Sequence, residues 1–235
     1  MANATSTELQ ELYIAYFGRA ADPTGLDYWT EKGTTAAAFA ASMHAQAEFK
    51  DVYGSLSVES QVNQIYKNLF NRSADVTGLT YWTQQINLGN LELAEIAVHL
   101  IWAAKNNDGG SDDKTALSNR TDAAVAYTAK VKETTAGILA YAAASSDPWS
   151  EGDNIAEAKS YMSGIDKDTA STAAGIASSV STIVTNGSQT GKKTFTLTTG
   201  ADKFTGGDAS DTFDASTKET LTNGDVLKGG EGGAD

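Results

Sequence analysis

The segment that decides this fold occurs twice, as LYIAYFGRAADPTGLDYWT at residues 12–30 and as IYKNLFNRSADVTGLTYWT at residues 65–83. The second copy is displaced by 53 positions, and 11 of the 19 aligned positions are identical. A repeat of this length is a supersecondary unit, and two such units in one chain are expected to bury their apolar faces against each other. The duplication therefore predicts the frame of the fold.

Each copy is predicted to form a helix, a short helix and a further helix. Apolar residues recur at i, i+3, i+4 and i+7 in both copies. Ser6 and Ser57 are predicted to cap the two first helices, and Gly18 to end the earlier one. Asp22 is expected to cap the short helix, with Pro23 in its first turn. The two units should cover about residues 7–54 and 57–107, within a helical region at residues 1–108.

The linker shared by the copies, Arg-x-x-Asp-x-x-Gly-Leu-x-Tyr-Trp, has two interpretations. In the structural one, Asp caps a helix, Arg pairs with a carboxylate or with helix C-terminal carbonyls, Gly permits close approach and Trp anchors the core. In the functional one, exposed aromatic rings stack on sugar rings, with Asp and Arg as hydrogen-bond partners. The residue types alone favour the structural interpretation.

Further helices are predicted beyond the duplication. One Ala-rich helix should start at Thr34 or Thr35 and continue to about Phe49, and others should cover 78–88, 91–105, 153–163 and 169–186. Residues 106–113 have loop composition and are interpreted as a solvated connection, with a Ca²⁺ loop as the alternative. Residues 109–190 are expected to belong to the same helical domain. The predicted fold class is therefore mainly α.

Residues 191–235 change to Gly, Thr and Asp, and residues 194–198 alternate as a β-strand does. The segment GGDASDTF, at residues 206–213, is close to the nonapeptide G-G-x-G-x-D-x-U-x, which binds Ca²⁺ in a parallel β-roll. It has Ala209 in place of the third glycine. We expect the start of a β-rich calcium-binding region, with Asp202, Asp208 and Asp211 as metal ligands. Because the sequence ends inside a second, irregular version of this motif, we also expect a longer parent polypeptide.

Composition and missing motifs restrict the function. A formal net charge of −13 disfavours nucleic acid, and the absence of cysteine excludes disulfides and Cys-based metal sites. No apolar run approaches the length of about 20 residues that a transmembrane helix needs. The N-terminus has no Sec-type signal pattern. His44 and His99 form no metal-binding motif, and no nucleophile elbow, P-loop or dinucleotide motif is present. The sequence predicts a protein that is not an enzyme.

The duplicated Tyr-x-x-x-Phe-x-Arg-x-x-Asp-x-x-Gly-x-x-Tyr-Trp pattern resembles the bacterial DUF4214 domain, a helical module similar to phycobilisome linker domains. The tail, LTTGADKFTGGDASDTFDAS with TLTNGDVLKGGEGGAD, resembles the junction in RTX-type surface-layer proteins of Gram-negative bacteria. The resemblance implies type I secretion through a C-terminal signal and a location at the extracellular cell surface. It further implies anchoring to the O-polysaccharide of lipopolysaccharide, and a calcium-dependent lattice that assembles through a C-terminal region.

No motif of the family marks the residues that contact the sugar, so the candidates come from side-chain chemistry. Aromatic faces stack on pyranose rings, and exposed aromatic residues with polar neighbours are therefore expected to form the glycan site. The candidates are Tyr28, Trp29, Tyr81, Trp82, Trp102 and Trp149. Two other hypotheses remain open. The chain could lead a large RTX adhesin or hydrolase whose activity lies beyond residue 235, or it could be a linker-like scaffold for other proteins.

Overall fold

The structure is a computed structural model that describes residues 2–106, 111–142, 152–189, 194–205 and 212–228. The chain divides into two compact units, Met1–Ile183 and Val184–Asp235. The first unit is helical, and the strands that the structure describes all lie in the second unit. The predicted mainly α class is confirmed.

Eleven α-helices and one short 3-10 helix occur in the described part of the chain. They are α1 (Ser6–Phe17), α2 (Pro23–Lys32), α3 (Ala36–His44), α4 (Ala47–Tyr53), α5 (Val58–Phe70), α6 (Val76–Asn87), a 3-10 turn (Leu93–Glu95), α7 (Ile96–Asn106), α8 (Ser111–Lys132), α9 (Thr135–Ala140), α10 (Asp153–Ser163) and α11 (Ala173–Gln189).

Most helix ends lie at the predicted residues. Gly18 ends α1 in the left-handed region at φ 67°, and Asp22 caps α2 by accepting a hydrogen bond from the Gly25 backbone N–H. Ser57 caps α5, as predicted. The cap of α1 differs from the prediction: it is Thr5, whose hydroxyl accepts from the backbone N–H of Glu8 while the Glu8 carboxylate accepts from that of Thr5. This reciprocal capping box satisfies two otherwise unpaired donors, so the helix starts one residue earlier than a Ser6 cap would allow.

The predicted Ala-rich helix through Phe49 is wrong in one respect, because it breaks between α3 and α4. Gln46 adopts an extended conformation and begins the new helix. In one continuous helix, Glu48 would lie about 180° around the axis from Phe39 and would face away from the core. The break lets both side chains be buried. An internal carboxylate that pairs with Arg19 explains the interruption.

Two other boundaries also differ from the predictions. The last helix begins at Ala173 instead of residue 169, because Asp166 closes a separate turn by accepting from the backbone N–H groups of Asp168 and Thr169. The predicted loop at 106–113 ends early, since α8 begins at Ser111 and places two aspartates in its first turn. Residues 107–110 of that loop lie outside the described residues.

The two copies share one core, as predicted. Apolar side chains of α1 and α5 belong to a single buried cluster, and the Asn68 side chain donates to the Ala15 carbonyl oxygen at 2.9 Å. All residues from Leu9 to Phe17 are buried. Ile14 belongs to a second cluster formed with α8, α10 and α11. Helix α1 is therefore the central helix of this unit, between the second copy and the Ala-rich helices.

Four short strands lie in the described part of the second unit: β1 (Thr194–Thr196), β2 (Lys203–Thr205), β3 (Thr212–Asp214) and β4 (Val226–Lys228). Strand β1 pairs in parallel with β3, and β2 pairs in parallel with β4. Consecutive strands therefore alternate between two sheets. The rings of Phe195 and Phe204 stack at 4.9 Å, and those of Phe195 and Phe213 at 5.3 Å. These phenylalanines recur every nine residues, a period that the sequence analysis did not detect.

Candidate functional site

The shared linker has the same internal construction in both copies. The carboxylates of Asp22 and Asp75 accept from the backbone N–H groups of Gly25 and Gly78, at 2.7 Å and 2.8 Å. A Cβ on Gly25 would lie 2.6 Å from the Tyr13 hydroxyl, and the equivalent Cβ on Gly78 would meet the hydroxyl of the second-copy tyrosine at 2.8 Å. The tyrosine therefore requires glycine at this position. Capping and close approach, the structural interpretation of Asp and Gly, are confirmed.

A further pair of linker contacts escaped the sequence comparison. The side chain of Gln10 accepts from the Ala21 backbone N–H at 3.0 Å, and that of Asn63 accepts from the Ala74 backbone N–H at 2.9 Å. Gln10 and Asn63 are also 53 positions apart, but they precede the aligned segment and differ in type. Only their equal capacity to accept a hydrogen bond marks them as equivalent.

The arginines of the two linkers have different environments. Arg19 is only 2% exposed and binds Glu48 of α4 through two hydrogen bonds, at 3.1 Å and 2.8 Å. Arg72 is 39% exposed and binds Asp113 of α8 through two hydrogen bonds of 2.6 Å. Each guanidinium also lies over the tyrosine and phenylalanine of its own copy. The predicted pairing with a carboxylate is therefore confirmed, although the two pairs differ in burial.

Contacts from α8 and from the residue after α9 cover the first linker. The Tyr141 hydroxyl donates to the Ala20 carbonyl oxygen at 2.7 Å, and the Thr128 hydroxyl donates to that of Ala21 at 2.6 Å. Tyr141 is completely buried, and its ring also contacts the guanidinium of the first linker. The start of the first linker, at Arg19–Ala21, is thus part of the protein interior.

The second linker instead lines a cleft of about 750 Å³. The cleft lies among α5, α6, α7, the start of α8 and the turn before α11. Its charged lining residues are Arg72, Asp75, Asp112, Asp113, Asp166, Lys167 and Asp168. Two basic and five acidic side chains give this lining a formal charge of +2 − 5 = −3.

Hydrogen bonds hold two of the cleft carboxylates, those of Asp75 and Asp166, in the charged form. The Gly78 backbone N–H lowers the pKa of Asp75, and the backbone N–H groups of Asp168 and Thr169 lower the pKa of Asp166. A hydrogen bond to Asp168 raises the pKa of Lys167. These groups are therefore ionised near neutral pH and present charged donors and acceptors to a ligand.

One aromatic residue of α6 lines this cleft, and a second is packed against it. Trp82 lines the cleft, and its indole N–H donates to the Tyr66 hydroxyl at 3.1 Å. The Tyr81 ring packs edge-on against Trp82 at 4.9 Å and is 52% exposed. Trp102, on α7, is 66% exposed but is not among the residues that line the cleft.

The equivalent aromatic pair of the first copy has a different neighbour. Tyr28 is 55% exposed, but the ammonium group of Lys32 lies 4.7 Å from the Trp29 ring centroid and 5.4 Å from that of Tyr28. Trp29 also packs edge-on against Phe39 at 5.3 Å. The position 53 residues after Lys32 is Gln85, so the second copy has no cation in that place. Trp149, the sixth glycan-binding candidate, lies outside the described residues.

The candidate metal ligands are only partly covered by the structure. The Asp202 carboxylate accepts from the backbone N–H of Thr198 at 2.7 Å and from its hydroxyl at 3.0 Å. The Asp202 backbone N–H donates to the Asp225 carboxylate at 2.8 Å, which joins two successive coils of the second unit. Asp208 and Asp211 lie outside the described residues. Within the described residues, no three potential ligands form a metal-binding group.

Comparison with known proteins identifies one family. Residues 40–108 match the model of a domain of unknown function, DUF4214. A DUF4214 domain is therefore present, and its residues include the whole second copy and most of the cleft lining. No curated protein and no solved structure matches the chain. Among the described helices, none has the length and apolar character needed to span a membrane.

Proposed function

We propose that the helical unit anchors a secreted RTX-type surface-layer protein to the cell by binding the O-polysaccharide of lipopolysaccharide. The proposal concerns an extracellular structural protein, exported by type I secretion and without catalytic activity of its own. Its support from sequence is the DUF4214 domain together with the RTX-like tail. Its support from structure is the unequal exposure of the two linkers.

The unequal exposure is the observation that carries the proposal. Two nearly identical linkers occur in one chain, yet the arginine end of the first is buried, whereas the arginine end of the second lines a cleft of about 750 Å³. That volume falls in the range of about 300–1,000 Å³ that is typical of ligand sites. Asp, Gly and Tyr make the same capping and packing contacts in both copies. These shared contacts do not account for the open cleft of the second copy, so we assign a further role to it.

The chemistry of the cleft suits a polysaccharide. Trp82 and the exposed Tyr81 ring beside it offer apolar faces for the C–H faces of pyranoses, since tryptophan and tyrosine combine an apolar body with a polar group. Arg72 and Lys167 donate to hydroxyl oxygens, and the aspartates accept from hydroxyl protons. The excess of negative charge in the cleft lining disfavours acidic sugars. The expected ligand is therefore a neutral or amino-bearing O-polysaccharide.

Binding to cells tests this proposal directly. We expect the purified chain to sediment with cells that carry complete lipopolysaccharide and to remain in solution with cells that lack the O-polysaccharide. Free O-polysaccharide should compete for the protein. Equal sedimentation with both kinds of cell would contradict the proposal. Recovery of a protein bound to this chain in the wash fractions would favour a scaffold function instead.

Calcium binding by the second unit is the other part of the proposal, with Asp202, Asp208 and Asp211 as candidate ligands. Its support is the parallel pairing of β1 with β3, which is offset by two nine-residue periods, and the nine-residue recurrence of phenylalanine, as in the calcium-binding nonapeptide repeat. In the parent protein, calcium would order this region and drive lattice assembly.

Removal of Ca²⁺ by a chelator is expected to destabilise the second unit and to leave the helical unit folded. Removing Ca²⁺ should increase hydrogen exchange in the described strands between 194 and 228, while the amides of α1 and α5 stay protected, because no calcium ligand is proposed in the helical unit. Magnesium should restore protection less well than calcium, since it requires a smaller octahedral site. Loss of protection in both units at the same chelator concentration would refute this division.

A further inference from the structure

The first copy of the duplication holds a cation on its exposed aromatic residues. The ammonium nitrogen of Lys32 lies 4.7 Å from the ring centroid of Trp29 and 5.4 Å from that of Tyr28. It also lies 3.5 Å from the Tyr28 hydroxyl oxygen. Ammonium groups are attracted to the negative faces of indole and phenol rings. The two rings therefore form a binding place for a positive charge, and Lys32 of the same chain occupies it.

The second copy reproduces this pair of rings. The rings of Tyr28 and Trp29, which we call the first pair, pack edge-on at 5.1 Å with an interplanar angle of 77°. The rings of Tyr81 and Trp82, which we call the second pair, pack edge-on at 4.9 Å and 75°. Both tyrosines are exposed, and both tryptophans are half-buried. The two pairs are therefore equivalent in geometry and in access to solvent.

The second pair differs because the residue that would supply its cation is neutral. Gln85 follows Trp82 by the same interval at which Lys32 follows Trp29. Arg72 lies over rings of the second copy, but these are the rings of the tyrosine and phenylalanine that precede the linker. In the described part of the chain, no lysine or arginine lies over the second pair. The place that holds an ammonium group in the first copy is thus open in the second.

Negative charge lies next to this open place. Trp82 belongs to the second pair and also lines the acidic cleft, whose lining has a formal charge of −3. The two cations of the lining, Arg72 and Lys167, are already ion-paired with aspartates. Asp75, another lining residue, keeps 61% of its side chain exposed. A ligand cation on the second pair is therefore attracted by the lining, while other groups of the same ligand reach the cleft.

We propose that the second pair binds the ammonium group of an amino sugar, in the place that Lys32 occupies on the first pair. The inference rests on the proposed glycan-binding function and names the class of sugar that the site selects. The ligand supplies the cation that the first copy supplies from its own chain. An N-acetylated sugar has no charge at this nitrogen and gains neither the ring contact nor the attraction of the aspartates.

The test is a titration of the full chain with a glucosamine oligomer and with the N-acetylglucosamine oligomer of equal length, in a buffer that keeps the amines protonated. The NMR signal of the Trp82 indole N–H reports binding. We expect the glucosamine oligomer to bind about tenfold more tightly, through the ring contact and the acidic lining. Gln85→Lys places an ammonium group of the chain itself at the second pair and should remove most of this preference.

Two further variants separate the ring contact from a general attraction of charge. Asn87→Lys adds the same charge to α6, but it does not follow the rings by three or four residues and should bind as the wild type does. Lys32→Gln opens the first pair, so the glucosamine oligomer should then also shift the Trp29 indole signal. Equal affinity of the wild type for both oligomers would refute the proposal. Equal losses from Gln85→Lys and Asn87→Lys, or an unchanged Trp29 signal in Lys32→Gln, would also refute it.

Sedimentation with cells keeps this inference distinct from the anchoring function. If the wild type sediments with cells that carry the O-polysaccharide but binds both oligomers equally, anchoring stands and the amino-sugar inference is wrong. Preferential binding of the glucosamine oligomer without sedimentation would support the ammonium site and contradict anchoring. Tighter binding of a lysine-containing peptide than of the glucosamine oligomer would overturn the amino-sugar assignment in favour of a protein partner.

Discussion

Replacing Arg19 with alanine is expected to lower the free energy of unfolding by about 3–5 kcal/mol, because it leaves the Glu48 carboxylate buried without a partner. The equivalent change, Arg72→Ala, removes a pair that solvent reaches from one side, and its cost should be about 1 kcal/mol or less. The comparison is controlled by the chain itself, since both arginines occupy the same position of the same repeat.

Urea denaturation of the two variants measures this difference. The double variant Arg19→Met with Glu48→Leu should recover much of the loss, because replacing both partners leaves no uncompensated buried charge. Equal destabilisation by Arg19→Ala and Arg72→Ala would mean that the first linker is not sealed in solution. It would also remove the main structural contrast on which the glycan proposal rests.

Tyr81→Ala is expected to weaken binding to cells with complete lipopolysaccharide by about 30-fold. Truncation of an aromatic contact residue at the centre of an interface costs about 2 kcal/mol or more, and about 1.4 kcal/mol corresponds to a factor of ten. The Tyr81 side chain is more than half exposed, so its removal should leave the stability of the fold nearly unchanged.

Tyr28→Ala is the matched control for Tyr81→Ala. The two tyrosines are equivalent in the duplication and are exposed to nearly the same extent, 55% and 52%. Only Tyr81 lies beside the open cleft, so Tyr28→Ala should bind cells like the wild type. Circular dichroism checks that each variant is folded. An equal loss from both tyrosine variants, or no loss from Tyr81→Ala, would place the glycan site elsewhere.

Sequence reasoning was most reliable where the physical cause was local. Caps at Asp22 and Ser57 and the stop at Gly18 each depend on groups within a few residues, and all lie where expected. It failed at the break between α3 and α4, because that break serves a buried contact between Arg19 and Glu48, which are 29 positions apart. No local pattern distinguishes this glutamate from a surface residue.

The candidate site was predicted only in part for the same reason. The aromatic candidates were chosen by residue type, which treated Tyr28 and Trp29 like Tyr81 and Trp82. The structure separates the two pairs through Lys32 and through the cleft. Arg72 and Asp75 of the second-copy linker line that cleft, although sequence analysis considered them chiefly for pairing and capping.

The sequence by itself determined the duplication, the helical class and the contacts within each linker, since Tyr, Arg, Asp and Gly interact within one repeat. Only the tertiary structure decided which linker is interior and which is open. Burial depends on the elements that pack on a segment, and those are remote in sequence: Tyr141 reaches Ala20 across 121 positions, and Arg72 pairs with Asp113 across 41. Two nearly identical segments therefore differ in exposure because different parts of the chain cover them.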